Sequence, residues 1–301
     1  MSSFPIDRAP PSMPPTPWGD KEKLQDALDQ LTLPHVDRDD AEVLERVLAQ
    51  QHTPFVTGNG DGNAIDPNDV EQGSNNSCAV LSTLMSVAQQ DPAVIRDMIH
   101  DNGDGTYTVT FHERDPGSPT GWKEVQVTVS GPFNGPLANP SGDVNSQGQG
   151  EIWPAIIEKA YAQQYLSGDY SNGESAHTVM EHILGVDAES VAPATVPFDQ
   201  MEAKLDNGEA VVARMPNRDD MSDEQLAIAE QYDIAGWHAY AVSDVIPAGS
   251  TYIDPDTGQE MTAQEDLVIL DNPWNSSSGD VVMPFAQFQV VASHVFSAPT
   301  N

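Results

Sequence analysis

The 301-residue chain has a single cysteine, Cys78, and it is also poor in basic residues and in long apolar segments. One cysteine cannot form a disulfide within the chain, so the sequence excludes a fold stabilised in that way. Stability must come from packing, for which this length is sufficient, as one large domain or two lobes. A reducing compartment also suits a lone reactive thiol.

Basic residues are scarce. The chain has 12 Lys and Arg against 47 Asp and Glu, which gives a formal net charge of −35. Such a charge repels phosphate backbones and anionic lipid surfaces, and it disfavours nucleic acid as a partner. A salty environment, passage through a secretion apparatus or attraction of basic protein substrates would each account for it, and composition does not choose among these.

Long apolar segments are missing as well. No stretch approaches the ~18 consecutive apolar residues of a membrane span, and the Pro-rich start has neither the basic nor the apolar region of a signal peptide. We therefore expect no membrane span, and a protein that is cytoplasmic or exported without a conventional signal peptide.

Helical and strand-like periodicities both occur, and they predict an α+β protein with helices concentrated in its first half. Apolar stripes at 24–31 and 43–48 predict two short helices, which either pack on the main body or act as a pro-segment or docking piece. Further helices are predicted over 80–90, 153–161, 176–184 and 198–205, and strands over 106–112, 123–129, 210–215, 237–242 and 267–270.

Cys78 stands at the start of a helical pattern and shortly after the pair Gln72-Gly73. A free cysteine thiol has a pKa of ~8.5 and is mostly protonated at neutral pH. Unsatisfied amides at a helix N-terminus stabilise the thiolate form. This placement indicates a nucleophile. The alternative is a small buried apolar residue without chemistry, and the partners of the cysteine must decide between the two.

His238 is the strongest candidate partner among the eight histidines. It lies in an apolar segment predicted to be a strand, where an imidazole needs a hydrogen-bond partner. The next predicted strand ends at Asn272, directly before Pro273, which stops the pairing. The two side chains can therefore meet, so that the imidazole takes the Cys78 proton while the amide orients the ring. His294 is the alternative base.

With these residues the chain resembles the calpain-type cysteine peptidases of the papain-like superfamily. The resemblance spans roughly Asp66 to Phe296, and so covers a protease core alone, as in a bacterial-style calpain-like protein. Five blocks carry it, and their combination is highly specific: Asp69–Gly73 with Cys78, Gly105–His112 with Gly121–Val125, Glu151–Ala162, His238–Val242, and Asn272–Trp274.

The resemblance implies a two-lobed papain-like fold and a role for each matching residue. It makes Cys78 the nucleophile, His238 the general base and acid, and Asn272 the residue that orients the imidazole. Gln72 would complete the oxyanion hole together with the Cys78 backbone N–H, and Trp274 would shield the His–Asn pair from water. The implied division is a leader with two helices at 1–52, a cysteine lobe at 53–184, and a histidine and asparagine lobe at 185–301.

The sequence departs from the family pattern in three places. Ser74–Ser77 precede the cysteine where the family has Leu-Gly-Asp, and Ala79 replaces a tryptophan, which puts substrate choice in doubt. Asp271 adds a negative charge, which we expect to lie close to His238 and to stabilise the imidazolium.

The predicted function is cysteine endopeptidase action on protein substrates through a thioester acyl-enzyme. The same triad would serve an acyl transferase or a deamidase, and an inactive calpain-like binding module is a third interpretation. Polypeptides are the expected substrates, and a protein inhibitor, a chaperone or a secretion partner are further candidates for binding.

The chemistry requires no cofactor, and calcium is left open. Animal calpains are switched by calcium. Separately, the loop from Gly58 to Asp69 loosely resembles a calcium-binding loop. Asn59, Asp61 and Asn63 alternate there as in a calcium-binding loop, but no glutamate stands at the closing position. A clear set of metal ligands is therefore not evident from the sequence.

Overall fold

The computed structural model describes residues 52–57, 64–133, 135–139, 145, 149–171, 173–255, 257–274 and 279–300. The helices predicted at 24–31 and 43–48, and the alternating residues Asn59, Asp61 and Asn63, lie outside this part of the chain. Residues Glu45–Asn301 form one compact unit. The division after residues 52 and 184 stays a prediction.

Helices and strands both occur in the described residues, which confirms the predicted α+β class. The helices are α1 (Cys78–Gln90), α2 (Pro92–Met98), α3 (Trp153–Tyr165), α4 (Ala176–Leu184), α5 (Phe198–Asp206), α6 (Asp223–Gln231) and α7 (Phe285–Val291). The strands are β1 (His52–Thr53), β2 (Ile99–Asp101), β3 (Thr106–Arg114), β4 (Trp122–Ser130), β5 (Gly150–Glu151), β6 (Glu189–Val191), β7 (Glu209–Arg214), β8 (Ala239–Ile246), β9 (Thr251–Ile253), β10 (Glu260–Thr262), β11 (Leu267–Asp271), β12 (Val281–Pro284) and β13 (His294–Pro299).

In the first half, helices α1 to α4 share one core with the strands predicted over 106–112 and 123–129. β3 and β4 pair antiparallel from Thr106 opposite Ser130 to Arg114 opposite Trp122, and β2 extends this sheet on the β3 side. Alternate residues of β3 are buried, as expected for a strand with one face on a core. α1 is buried along most of its length and is followed directly by Asp91. The carboxylate of Asp91 caps the N-terminus of α2 by accepting a hydrogen bond from Ala93 N.

The second half is a six-stranded antiparallel sheet in the order β12–β11–β8–β7–β13–β6. Alternate residues of its central strand β7 belong to different cores: Ala210 and Val212 face the core that contains α1, while Val211 and Ala213 face a second core. Because both faces are covered, β7 is apolar without alternation. The connection between β8 and β11 contains a hairpin formed by β9 and β10.

Two buried serines hold α1 on this sheet. Ser82 Oγ donates to Ala239 O at 2.8 Å, and Ser86 Oγ accepts from Val211 N at 2.7 Å. A buried backbone group needs such a partner, so these contacts define how α1 lies against β7 and β8. The first turn of α1 is thereby brought to the start of β8.

The histidine segment differs from the predicted strand over 237–242. β8 begins only at Ala239, because Trp237 has a left-handed φ of 52° that a regular strand does not contain. His238 is therefore the residue before the strand. Its carbonyl still accepts from Met215 N at 2.8 Å, which continues the contact between the β7 and β8 segments.

Within the described part of the chain, no helix combines the length and the apolar character needed to cross a bilayer.

Candidate active site

Cys78 is the first residue of α1, as predicted, and its side chain is half-buried. The sulfur interacts with the backbone of Ala239, the first residue of β8. Because Ala239 directly follows His238, this contact brings the thiol beside the histidine segment.

The ionisation of Cys78 differs from the expectation based on the helix end. Burial raises the pKa of the thiol, and this effect outweighs the opposing hydrogen bonds from the backbone of Ala239 and Ala79 and the positive charge of Arg214. A helix N-terminus favours the thiolate only by a modest amount, whereas loss of hydration disfavours it strongly. At neutral pH the thiol form of Cys78 is therefore favoured.

His238 and Asn272 are in direct contact. Nε2 of the ring lies 3.0 Å from Oδ1 of the amide, and both side chains are buried. The same Oδ1 accepts from the backbone N–H of Trp274 at 3.1 Å, and since a backbone N–H can only donate, the atom facing the imidazole must be the oxygen. Nε2 therefore carries the proton, and Nδ1 of the neutral ring is the basic nitrogen.

Aromatic rings enclose the imidazole. Trp274 packs on it with ring centroids 4.2 Å apart, and Tyr240 meets it edge-on at 4.8 Å. Burial lowers the pKa of His238 to about 4, which outweighs the hydrogen bond to Asn272 that favours the charged form. The thiol of Cys78 and the imidazole of His238 are thus both neutral at neutral pH.

Gln72 is joined to the same site through the backbone. Its N–H donates to Pro273 O at 2.7 Å, and its side-chain Nε2 donates to Asn75 O at 2.6 Å. One Nε2 hydrogen is used in that bond, which leaves a second for a ligand. Gly73 is required here because a Cβ would lie 2.0 Å from Leu137 O. The segment before the cysteine therefore passes close to the 136–137 backbone.

Glu158 is a site-supporting residue that the sequence analysis missed. Its carboxylate, fully buried on α3, accepts from Asn75 Nδ2 at 3.0 Å and from Ala138 N. Burial raises the pKa of Glu158, against the effect of these hydrogen bonds. The carboxylate thus connects α3 to the loop before Cys78. An acidic residue on the face that also contains Tyr161 was the signal that could have identified it.

Asp271 does not act as expected on the imidazole. Its carboxylate accepts from Ser243 Oγ at 2.5 Å, whereas the pKa of His238 is set by burial and by Asn272, without an effect of Asp271. Burial, followed by the charge of Asp280, raises the pKa of Asp271 to about 7. The pKa of His238 is lowered rather than raised, which corrects the expectation.

The remaining candidates lie elsewhere. His294 is exposed at the start of β13, where its ring stacks on Phe296 with centroids 5.8 Å apart. Trp153 and Tyr161, from the matching block Glu151–Ala162, are fully buried in the first core. The structure thus joins His238, rather than His294, to Asn272.

A calcium ligand set is not complete in the described residues, which contain no group of three or more His, Cys, Asp or Glu placed to hold a metal ion. Asp69 and Glu151 are a pair of buried carboxyls. They accept hydrogen bonds from Trp153 Nε1 at 3.2 Å and from Val56 N at 2.9 Å, respectively. Carboxylate oxygens suit calcium, but two residues fall short of the six to eight oxygen ligands that it takes.

Comparison with known proteins agrees with this geometry at the level of the family. A search among curated proteins gave no match. The sequence model of the calpain family cysteine proteases matches residues 51–280. This segment includes α1, β8 and the end of β11, which carry Cys78, His238 and Asn272. The chain therefore belongs to the calpain family of cysteine proteases.

Proposed function

We propose that this protein is an endopeptidase in which Cys78, His238, Asn272 and Gln72 form the active site. The contact between His238 Nε2 and Asn272 Oδ1 carries the proposal, because it leaves Nδ1 as the basic nitrogen of a buried ring. The thiol of Cys78 interacts with the backbone of Ala239, the residue that follows His238. Trp274 covers the ring against water on one side.

Acylation begins with transfer of the Cys78 proton to His238 Nδ1. The sulfur then forms a bond to the peptide carbonyl carbon, and the carbonyl oxygen takes up the negative charge. The second Nε2 hydrogen of Gln72 and the Cys78 backbone N–H donate to this oxyanion. In comparable sites one such donor lowers the barrier by roughly 3 to 4 kcal/mol.

Collapse of the tetrahedral intermediate breaks the C–N bond, and the imidazolium gives its proton to the leaving amine. A thioester on Cys78 remains. His238 then takes a proton from water, whose oxygen attacks the thioester carbon, and the proton passes to the departing sulfur. The products are two peptides with one new amine and one new carboxylate, and the thiol and neutral imidazole are regenerated.

The test compares the unmodified protein with Cys78→Ala and His238→Ala on an unfolded protein substrate. Mass spectrometry identifies new peptide termini, and a thiol-directed peptide epoxide reports active-site labelling. His238→Ala keeps the thiol, so it separates loss of the base from loss of the nucleophile. Iodoacetamide, a small thiol reagent, provides the control that Cys78 is present and accessible.

New termini that appear only with the unmodified protein support the proposal. A mass change without chain cleavage would instead indicate the acyl transferase or deamidase. Binding of a polypeptide without any change to it, equal in all three proteins, would indicate an inactive module. The proposed chemistry uses no cofactor, and arms with calcium and with a chelator measure whether the cation changes the rate.

A further inference from the structure

Trp237, the residue before His238, has an unusual backbone conformation. Among the described residues three non-glycine residues have a positive φ, namely Ser167, Asp233 and Trp237, and the last has a φ of 52°. A bulky L-residue in this region is a true outlier because its Cβ crowds the backbone. Trp237 N–H donates to Pro216 O at 2.8 Å, and the next carbonyl accepts from Met215 N at 2.8 Å. The surrounding backbone therefore imposes the strained conformation.

Packing does not compensate for this strain. The Trp237 side chain is 61% exposed, the largest value among the large apolar side chains that the structure describes as exposed. Trp122 and Trp153, by contrast, are buried. Nor is the indole needed to cover His238, whose ring is already enclosed by Tyr240 and Trp274. An exposed strained residue beside a reactive group points to a function.

We propose that Trp237 is a specificity-determining residue that binds an aromatic side chain of the substrate, one or two residues from the scissile bond. The inference rests on the proposed function and names the substrate class of that site. One peptide unit separates the Cα atoms of Trp237 and His238, which makes Trp237 the direct chain neighbour of the proposed base. Aromatic rings stack favourably on an exposed indole, with a gain beyond that of burial alone.

Two arginines near the site disfavour a basic side chain relative to an uncharged ring. Arg218 lies against Gly236, the residue before Trp237, and the positive charge of Arg214 acts on Cys78. A lysine or arginine side chain could also stack on an indole, but it would meet these like charges. We therefore expect a preference for Phe over both Ala and Lys.

Three variants separate substrate contact from structure. Trp237→Asn removes the ring and places a residue that tolerates positive φ, so its Tm should rise by about 2 to 4 °C while kcat/KM for a Phe peptide falls about three- to tenfold. Trp237→Phe keeps a ring and should retain most of the preference. Ile253→Thr changes an equally exposed apolar residue on β9 and should alter neither quantity. A purely structural role would lower stability and activity together.

The decisive measurement is the rate of labelling by two peptide epoxides that differ only in Phe or Ala beside the reactive group, with a Lys version as a third arm. The unmodified protein should react faster with the Phe reagent, through tighter binding, and Trp237→Asn should lose that difference while reacting normally with iodoacetamide. Equal Phe and Ala rates in the unmodified protein, or a preference for Lys, would overturn the inference and leave the proposed function standing. If no peptide reagent labels the unmodified protein, the proposed function fails and this inference with it.

Discussion

Nε2 of His238 lies 3.0 Å from Oδ1 of Asn272, and this contact determines which nitrogen of the ring is basic. The Trp274 N–H, which donates to the same oxygen, orients the amide. Asn272 follows the last residue of β11, and His238 precedes the first residue of the neighbouring β8. The antiparallel pairing of these two strands is what brings the side chains together.

Replacement of Asn272 by Ala should lower kcat/KM about 10- to 100-fold, because the hydrogen bond that orients and supports the charged imidazole is lost. Asn272→Asp is the matched variant: it keeps the accepting oxygen, and its negative charge should move the acid limb of the pH–rate profile upward. Steady-state kinetics across pH measure both effects. Full activity of Asn272→Ala would contradict the proposed role.

The pH dependence of activity should reflect the buried histidine. Burial lowers the pKa of His238 to about 4, so the ring is a neutral base above that pH and is protonated below it. The acid limb of kcat/KM should therefore lie well below the ordinary histidine value of about 6.5. In the proposed mechanism this limb describes the Cys78–His238 pair rather than one residue. A midpoint at about 6.5 or above would show that the ring is not buried as described.

Gln72→Ala should lower kcat about 10²- to 10³-fold with little change in KM, because an oxyanion donor acts mainly in the transition state. The control is Gln89→Ala, which removes an exposed amide that donates to Ser243 O. Melting temperatures of both variants check that the loop before Cys78 still folds. A loss confined to KM would assign Gln72 to substrate binding instead.

Glu158→Gln should destabilise the protein by about 1 to 3 kcal/mol and lower activity. The buried carboxylate accepts hydrogen bonds from both Asn75 Nδ2 and Ala138 N. A glutamine side chain has only one accepting oxygen, so its NH₂ group would face one of these two N–H groups and that hydrogen bond would be lost. Denaturant unfolding and peptide labelling of Cys78 provide the two readouts. Glu230→Gln, at an exposed position on α6, should change neither. Unchanged stability of Glu158→Gln would mean that the carboxylate does not hold this loop.

Asp271→Asn should stabilise the protein more at pH 8 than at pH 5. The folded pKa of Asp271 is raised from 3.8 to about 7, so the folded state holds the proton more tightly and its ionisation weakens folding as pH rises between these values. Asparagine keeps an acceptor for Ser243 Oγ without the charge. We expect a gain of about 1 to 2 kcal/mol at pH 8 in thermal or denaturant unfolding. The exposed Asp97→Asn is the control, and a gain independent of pH would refute the explanation.

Local periodicity was sufficient for most of the elements near the site. The hairpin of β3 and β4 and the helix after Cys78 follow from spacing that repeats within a few residues, and both were predicted within a residue or two of their ends. The strand predicted over 237–242 begins two residues later than predicted, at Ala239. The sequence pattern does not indicate that Trp237 has a left-handed φ, because contacts with Met215 and Pro216 impose that backbone conformation.

The amino-acid sequence alone determined the α+β class, the family and the identity of Cys78, His238, Asn272, Gln72 and Trp274 as candidates, because each depends on residue type and on short-range pattern. Only the tertiary structure decided which histidine meets Asn272, that Glu158 supports the loop before Cys78, and that the thiol is neutral at rest. These properties depend on burial and on contacts between residues far apart in the chain. Such contacts arise only when β8 pairs with β11 and the helices pack against the sheet and against the loop before Cys78.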